Sequence, residues 1–196
     1  MKRVGNIYEE ITRLGNIESA IMHASKGKRK RKKVEKILDS PTFYALQIQK
    51  MLKEKTYVPS PYFKIKILDG VRKKERIIYK PQFYPDQVIH WALMLKLEPI
   101  LQKSMYEFCC ASIKKRGIHY GKRHIERILN NDRKNTKYCL KLDIRHFYPN
   151  IDKEILKQKF RKKIKDKDTL WLIDTIIDSG ETGVPIGNYT SQWFAN

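Results

Sequence analysis

The stretch "LKLDIRHFYPNID", residues 140–152, joins an alternating apolar run to a carboxylate, an aromatic pair and a proline. The alternation places the leucines and Ile144 on one strand face and Asp143 on the other, so residues 138–144 are predicted to form a strand. A carboxylate at the edge of a buried strand is costly unless it is paired, hydrogen-bonded or metal-bound. Two interpretations stay open from this pattern: Asp143 binds a ligand, or it caps the turn that follows.

The net charge of the chain predicts a polyanionic partner. Its 196 residues, enough for one domain or two small lobes, carry 42 Lys and Arg against 21 Asp and Glu, a formal charge of +21. Because a folded body with this charge repels itself, we expect it to bind a polyanion, with nucleic acid favoured over a membrane surface.

Cysteine spacing and hydropathy favour a cytoplasmic protein. Cys109 and Cys110 are adjacent and Cys139 stands alone, which matches neither a zinc site nor a disulfide framework. The sequence has neither an apolar run long enough to span a bilayer nor an N-terminal signal-peptide core, so we expect no membrane partner.

Periodicity predicts a mixed organisation of helices and strands. Alternating runs flank Asp69-Gly70 and predict a hairpin over residues 62–79. The helix predicted in "PDQVIHWALMLKLEPIL" is amphipathic and begins at Pro85 and Asp86. Helical spacing also occurs in residues 7–24, 34–54, 121–131, 153–163 and 168–178. The polar face of the hairpin is predicted to carry Lys64, Lys66, Lys73, Lys74 and Arg76.

Seven of the eight residues in "KGKRKRKK", residues 26–33, are basic. Such a run is commonly a solvated linker, and it could also follow a phosphate backbone. The candidate nucleic-acid-binding residues are Lys28, Arg29, Lys30, Arg31, Lys32, Lys33, Lys64 and Lys66.

The opening stretch resembles the first catalytic motif of reverse transcriptases, in which an aspartate ends a palm strand and an aromatic residue follows five positions later. Asp143 and Tyr148 occupy those positions here. The resemblance implies that Asp143 is catalytic and that it binds Mg²⁺ together with the Ile144 carbonyl, as one part of a two-ion site. It also implies that the His146 and Phe147 amides hold the triphosphate and that Tyr148 crowds the sugar 2′ position. From the residue alone, Tyr148 could equally be a core aromatic.

The C-terminal stretch "GVPIGNYTSQWFAN", residues 183–196, resembles the family motif that packs under the templating base pair and the incoming nucleotide. Its glycines permit a tight turn beside a ligand, and a helix is expected to begin after Asn188. By the resemblance, Ile186, Gly187 and Gln192 contact the nucleotide.

Ile186 stands where many reverse transcriptases have Gln, and "IGNYTSQ" resembles the enzymes of diversity-generating retroelements, which copy a template RNA with frequent errors. Because Ile cannot form the hydrogen bonds that Gln forms, we expect weak discrimination against mispairs. The alternative is that Ile186 simply packs.

The middle of the chain resembles the fingers segment of the same family. Arg76 matches an arginine that binds the triphosphate, which suits the forked donors of a guanidinium, and Lys74 is a weaker second candidate. "ASIKKRGIHYGKRHI" resembles the next family block through Gly117 and His119. Gln87 and Ile113 stand where the family commonly has Arg, which puts the contacts at those two positions in doubt.

The histidines and Asp152 are predicted to have roles other than metal binding. His90, His119, His124 and His146 do not share metal-ligand spacing, so they are expected to be surface, packing or backbone-contact residues. Asp152 is expected to cap the helix that begins at residue 153.

The resemblance covers residues 56–196 and implies an α+β fold: the fingers and partial palm of a right-hand polymerase, without a thumb. The palm would be an antiparallel sheet with helices packed on one face. The expected organisation is a helical, basic extension at 1–55, fingers at 56–80 and 153–182, and partial palm at 81–152 and 183–196.

The expected function is RNA-directed DNA synthesis from dNTPs on an RNA template and DNA primer, with two Mg²⁺ ions as cofactors. Expected partners include a small basic accessory protein and a second copy paired through exposed palm strands. The family's Tyr-x-Asp-Asp motif does not occur in these 196 residues, so the sequence resembles a fragment expected to be inactive alone. The alternatives are a retron, group II intron or phage-defence reverse transcriptase, or a non-catalytic RNA-binding protein on the same fold.

Overall fold

The computed structural model describes residues 2–69 and 74–196, and it confirms the mixed α+β class. The hairpin strands are β1 (Phe63–Asp69) and β2 (Lys74–Lys80). A π-helical turn (Phe83–Gln87) precedes α5, and a 3-10 turn (Tyr148–Asn150) precedes α7. The helices are α1 (Tyr8–Thr12), α2 (Leu14–Ser25), α3 (Lys32–Leu38), α4 (Pro41–Lys53), α5 (Val88–Gln102), α6 (Ile118–Asn131), α7 (Lys153–Lys163), α8 (Lys167–Asp178) and α9 (Tyr189–Phe194).

Helix α5 lies at the centre of the hydrophobic core. Helices α1, α2 and α9 pack against it, and α4 packs against α2. Ile89, Leu93, Met94 and Leu97 are fully buried, and together they cover more than one face of α5. The prediction of an amphipathic helix is therefore wrong in this respect. Each such side chain contributes about 1.5–3 kcal/mol when it leaves water, so α5 organises the fold around it.

A buried carboxylate fixes the approach to α5. The helix begins at Val88, two residues after the predicted start, because the π-helical turn intervenes. Asp86 in that turn accepts hydrogen bonds from the Tyr57 hydroxyl at 3.0 Å and from the Ser60 amide at 3.2 Å. Burial, and then the charge of Asp86, raise the pKa of Tyr57, which therefore stays a hydroxyl donor. The loop before β1 is thus held against the start of α5.

Asp166 joins the N-terminal segment to α8. Its carboxylate accepts from the backbone amides of Ile7 and Tyr8, both at 2.8 Å, and from the Thr169 hydroxyl at 3.1 Å. Burial alone would raise the pKa of Asp166, but the hydrogen bonds from Tyr8, Ile7 and Thr169 outweigh it and lower the pKa. A carboxylate with several N–H donors is stabilised in its charged form, so it anchors α1 to α8.

We expect Asp166→Ala to lower the free energy of unfolding by about 1–3 kcal/mol, because the amides of Ile7 and Tyr8 lose their acceptor. Since the folded pKa is depressed, this stabilisation is present above the unfolded pKa of about 3.9 and is lost as pH falls through the folded pKa. Urea denaturation across the acid range measures it. Asp39→Ala, at an exposed position after α3, is the control, and an equal loss in both variants would contradict the anchoring role.

The hairpin is confirmed, but its single basic face is not. Lys66 pairs with Ile77 in the register, and Arg76 pairs with Ile67. Because side chains alternate along a strand, Arg76 lies on the opposite face from Lys64 and Lys66. The one-face prediction is wrong because it took each strand by itself, without the register that joins them. The predicted turn residue Gly70, Lys73 and the Lys74 side chain lie outside the described residues.

The strand predicted over residues 138–144 is not formed. This segment is irregular, and Leu140 and Leu142 are 82% and 81% exposed. A strand requires a neighbour for its backbone hydrogen bonds, and among the described residues the single sheet is the β1–β2 pair. The antiparallel palm sheet is therefore not present in the described part of the chain. Helix α6, which precedes this segment, contains no buried residue.

The helices predicted after residue 152 are confirmed. Asp152 caps α7, where its carboxylate accepts from the Ile155 amide at 2.9 Å, as expected. Helix α7 packs against α8, and α9 begins directly after Asn188. In the described ranges, no helix combines the length and apolar character that crossing a membrane requires.

Candidate functional site

The turn at residues 183–187, called here the glycine turn, packs against the aromatic turn at residues 146–150. Gly183 has φ +50°, and a Cβ atom built there would lie 2.1 Å from the Tyr148 carbonyl oxygen. The Val184 amide donates to the same oxygen at 3.0 Å. Only glycine permits this backbone approach, so the contact explains the residue type at position 183.

The other end of the glycine turn contacts strand β2. The Tyr79 amide donates to the Ile186 carbonyl at 2.7 Å, which extends the hydrogen bonding of the hairpin. Gly187 has φ +125°, and a Cβ atom there would lie 2.4 Å from the Tyr79 carbonyl oxygen. The glycine turn therefore joins β2, which carries Arg76, to the segment that carries Tyr148.

The aromatic turn has a strained backbone. His146 has φ +49°, a conformation that non-glycine residues rarely adopt. The Asn150 amide donates to the His146 carbonyl at 3.1 Å, and the Asn150 side chain donates to the Arg145 carbonyl at 3.1 Å. Such strain persists where surrounding contacts hold it, often at functional sites. The candidate amides of His146 and Phe147 thus belong to a closed turn.

Asp143 and Ile144 lie on the irregular segment before this turn and are exposed. Mg²⁺ requires about six oxygen ligands, of which Asp143 and the Ile144 carbonyl could supply a part. Across residues 2–69 and 74–196, no group of three His, Cys, Asp or Glu side chains is placed to hold a metal ion. The described residues therefore supply by themselves only part of the ligands of a two-ion magnesium site.

The candidate phosphate-binding cations differ in their surroundings. Arg76 is exposed on β2, three residues before the Tyr79 contact, while the Lys74 side chain lies outside the described residues. Lys64 is paired with Glu181 at 2.6 Å, and this hydrogen bond is the main cause that raises the pKa of Lys64. Lys66 lies 3.6 Å from Glu75. These exposed pairs contribute little stability and leave both lysines accessible.

The basic run at residues 26–33 leads into α3 as a series of turns. Arg29, Lys30, Arg31, Lys32 and Lys33 are exposed, and Lys28 is half-buried. Lys28 and Arg31 line a cavity that Gly187 and Gln192 also line. The structure therefore brings together two candidate groups that are about 160 residues apart in the chain, which sequence reasoning had not connected.

Several residues around this cavity were missed from the sequence. Lys80, His90, Trp91 and Tyr189 line it, and the Trp91 and Tyr189 rings stack with centroids 4.0 Å apart. A lone histidine in an apolar helix carries no spacing signal, and the sequence predicts for His90 a surface, packing or backbone-contact role. Gln87, noted as a departure from the family pattern, accepts a hydrogen bond from Lys28.

No protein-family model matches this chain, and no curated protein matches it in sequence. The likeness to reverse transcriptases therefore depends on the motif residues themselves.

Proposed function

We propose that this chain is part of an RNA-directed DNA polymerase of the diversity-generating-retroelement type, comprising its fingers and a partial palm. One observation carries the proposal: the glycine turn contacts both the aromatic turn, through Tyr148, and strand β2, through Tyr79. In a template-directed polymerase, residues that act on one nucleotide must meet at one place. These three segments carry the motif residues, and backbone contacts join them.

The proposed roles follow from the residue types. Arg76 would bind the triphosphate with its forked donors, and the amides of His146 and Phe147 would bind phosphate oxygens. Tyr148 would crowd the sugar 2′ position. Asp143, with the Ile144 carbonyl, would contribute to Mg²⁺ binding together with further carboxylates.

Error-prone synthesis is part of the proposal. Ile186 is half-buried and its apolar side chain offers no hydrogen bond, while its carbonyl is already bonded to Tyr79. A nucleotide beside it would be selected mainly by shape, which discriminates less than directional hydrogen bonds do.

Primer extension on an RNA template with dNTPs and Mg²⁺ tests the function. We expect no incorporation by the 196-residue chain alone, because Asp143 is a single carboxylate. If a longer protein from the same reading frame supplies further carboxylates beside Asp143, we expect that protein to incorporate dNTPs. There, Asp143→Asn should reduce the rate roughly a thousandfold, since several kcal/mol of charge stabilisation are lost.

Asp152→Asn is the matched control, because it removes a nearby charge but keeps the oxygen that caps α7. Incorporation that Asp143→Asn leaves unchanged would overturn the proposal. Salt-sensitive RNA binding without incorporation by any product would instead favour the non-catalytic RNA-binding protein, which a charge of +21 fits equally well.

A further inference from the structure

Two neighbouring cavities lie between the basic run and α9. Their volumes are about 380 Å³ and about 390 Å³. They share five lining residues: Lys28, Arg31, Lys80, Pro81 and Gln87. We call the combined feature the basic groove. It is separate from Asp143, which lines neither cavity.

The charge of the basic groove is entirely positive. Lys32 and Lys33 line the first cavity in addition to the three shared cations. Among the described residues, no Asp or Glu lines either cavity, although the whole chain has one acidic residue for every two basic ones. By contrast, Asp152 lines one other cavity, and Asp178 and Glu181 line another. The groove therefore concentrates a positive field that favours an anion.

Lys28 is held in position at the junction of the two cavities. Its ammonium donates to the Gln87 side chain and lies 6.0 Å from the centre of the Phe83 ring. Gln87 is itself fixed by donating to the Pro81 carbonyl at 2.8 Å. Burial, and then the charges of Arg31 and Lys80, lower the pKa of Lys28. An anion bound beside Lys28, Arg31 and Lys80 would raise the pKa of Lys28 again, because a nearby negative charge stabilises the charged ammonium.

One residue that lines the second cavity carries a buried polar atom without a partner in the described part of the chain. His90 is 2% exposed, and its Nδ1 atom has no hydrogen-bond partner among the described residues. A buried polar atom without a partner is costly, so a ligand group that reaches it would gain a hydrogen bond that the protein alone does not provide. The stacked rings of Trp91 and Tyr189 form the adjacent wall.

We propose that the basic groove binds consecutive phosphates of a single nucleic-acid strand, with Lys28, Arg31 and Lys80 as the phosphate contacts and His90 in the lining of the second cavity. Aromatic rings occur along both cavities, and rings between cations are the pattern of single-strand binding. Each cavity is at the small end of the range for ligand pockets, which suits one nucleotide better than a duplex. The proposal rests on the nucleic-acid-binding part of the proposed function and does not require catalysis.

Fluorescence anisotropy with a labelled, unstructured oligouridylate tests the groove. The triple variant Lys28→Ala, Arg31→Ala, Lys80→Ala is compared with a control triple variant of equal charge: Lys50→Ala, Lys53→Ala, Lys167→Ala. These control lysines are exposed and line neither cavity. We expect the groove variant to weaken RNA binding roughly tenfold more than the control does, and to reduce the salt slope by about 2, since single strands give about 0.7 per phosphate contact.

Tryptophan fluorescence provides a local readout. We expect oligouridylate to quench the emission of the natural chain and of the control variant. Trp91→Phe, which keeps Trp171 and Trp193, should lose most of this quenching. Circular dichroism of each variant confirms that the helices are retained.

The outcomes separate this proposal from the proposed function. If the natural chain binds no oligouridylate, both lose their basis. If it binds, and the two triple variants weaken equally, the groove alone is overturned while nucleic-acid binding stands. A parallel titration with dNTP distinguishes the source of the phosphate: loss of dNTP binding with unchanged RNA binding would assign the groove to free nucleotides and overturn its role as a strand site.

Discussion

Gly183→Ala should lower the free energy of unfolding by roughly 2–4 kcal/mol and detach the glycine turn from the aromatic turn. The added Cβ would lie 2.1 Å from the Tyr148 carbonyl oxygen and 2.6 Å from the Pro149 carbonyl carbon, both of them backbone atoms. Backbone cannot rotate away as a flexible side chain can. The φ of +50° adds strain for any residue with a Cβ.

Urea denaturation measures the loss of stability, and hydrogen exchange of the Val184 amide reports the contact itself. This amide donates to Tyr148, so its protection should fall in the variant. Gly15→Ala is the matched control, because a Cβ there meets no atom within 4 Å in helix α2. Because Gly15 lies in the first turn of α2, that control should not lose stability. Unchanged stability and protection in Gly183→Ala would refute the packing of the two turns.

Acidification from about pH 7 to about pH 5 should cost roughly 2 kcal/mol of stability through His90 alone. Burial lowers the pKa of His90 to about 3, while the unfolded value is near 6.5. Between those two values the unfolded chain binds one more proton than the folded chain. Stability therefore falls as pH drops below the unfolded pKa, and the fall stops only near the folded pKa.

His90→Gln removes this proton and should flatten the dependence of unfolding free energy on pH in this window, whatever its effect on absolute stability. His119→Gln, at an exposed histidine of α6, is the matched control. Asp166 contributes at lower pH, because its folded pKa lies below the usual carboxyl value. The same pH dependence in His90→Gln and in the natural chain would contradict a neutral, buried imidazole.

The parts of the candidate site that the sequence predicted are those with a local signal. The turn around Gly183 and Gly187 was expected from glycine spacing, and both glycines have positive φ in the structure. The groove around His90 and Lys80 could not be predicted, because its walls come from the basic run, the end of β2, α5 and α9. No spacing rule connects positions so far apart in the chain.

Secondary structure followed from the sequence where the determining interactions lie within a few residues. Helical periodicity, the Asp152 cap and the hairpin are decided by short-range hydrogen bonds and side-chain spacing, so they were predicted correctly. The tertiary structure decided what depends on distant neighbours: the central burial of α5, the separation of Arg76 from Lys66 by the hairpin register, and the irregular state of residues 138–144. An alternating pattern specifies which side chains share a face, but a strand also needs a partner for its backbone, and burial needs another surface to cover it.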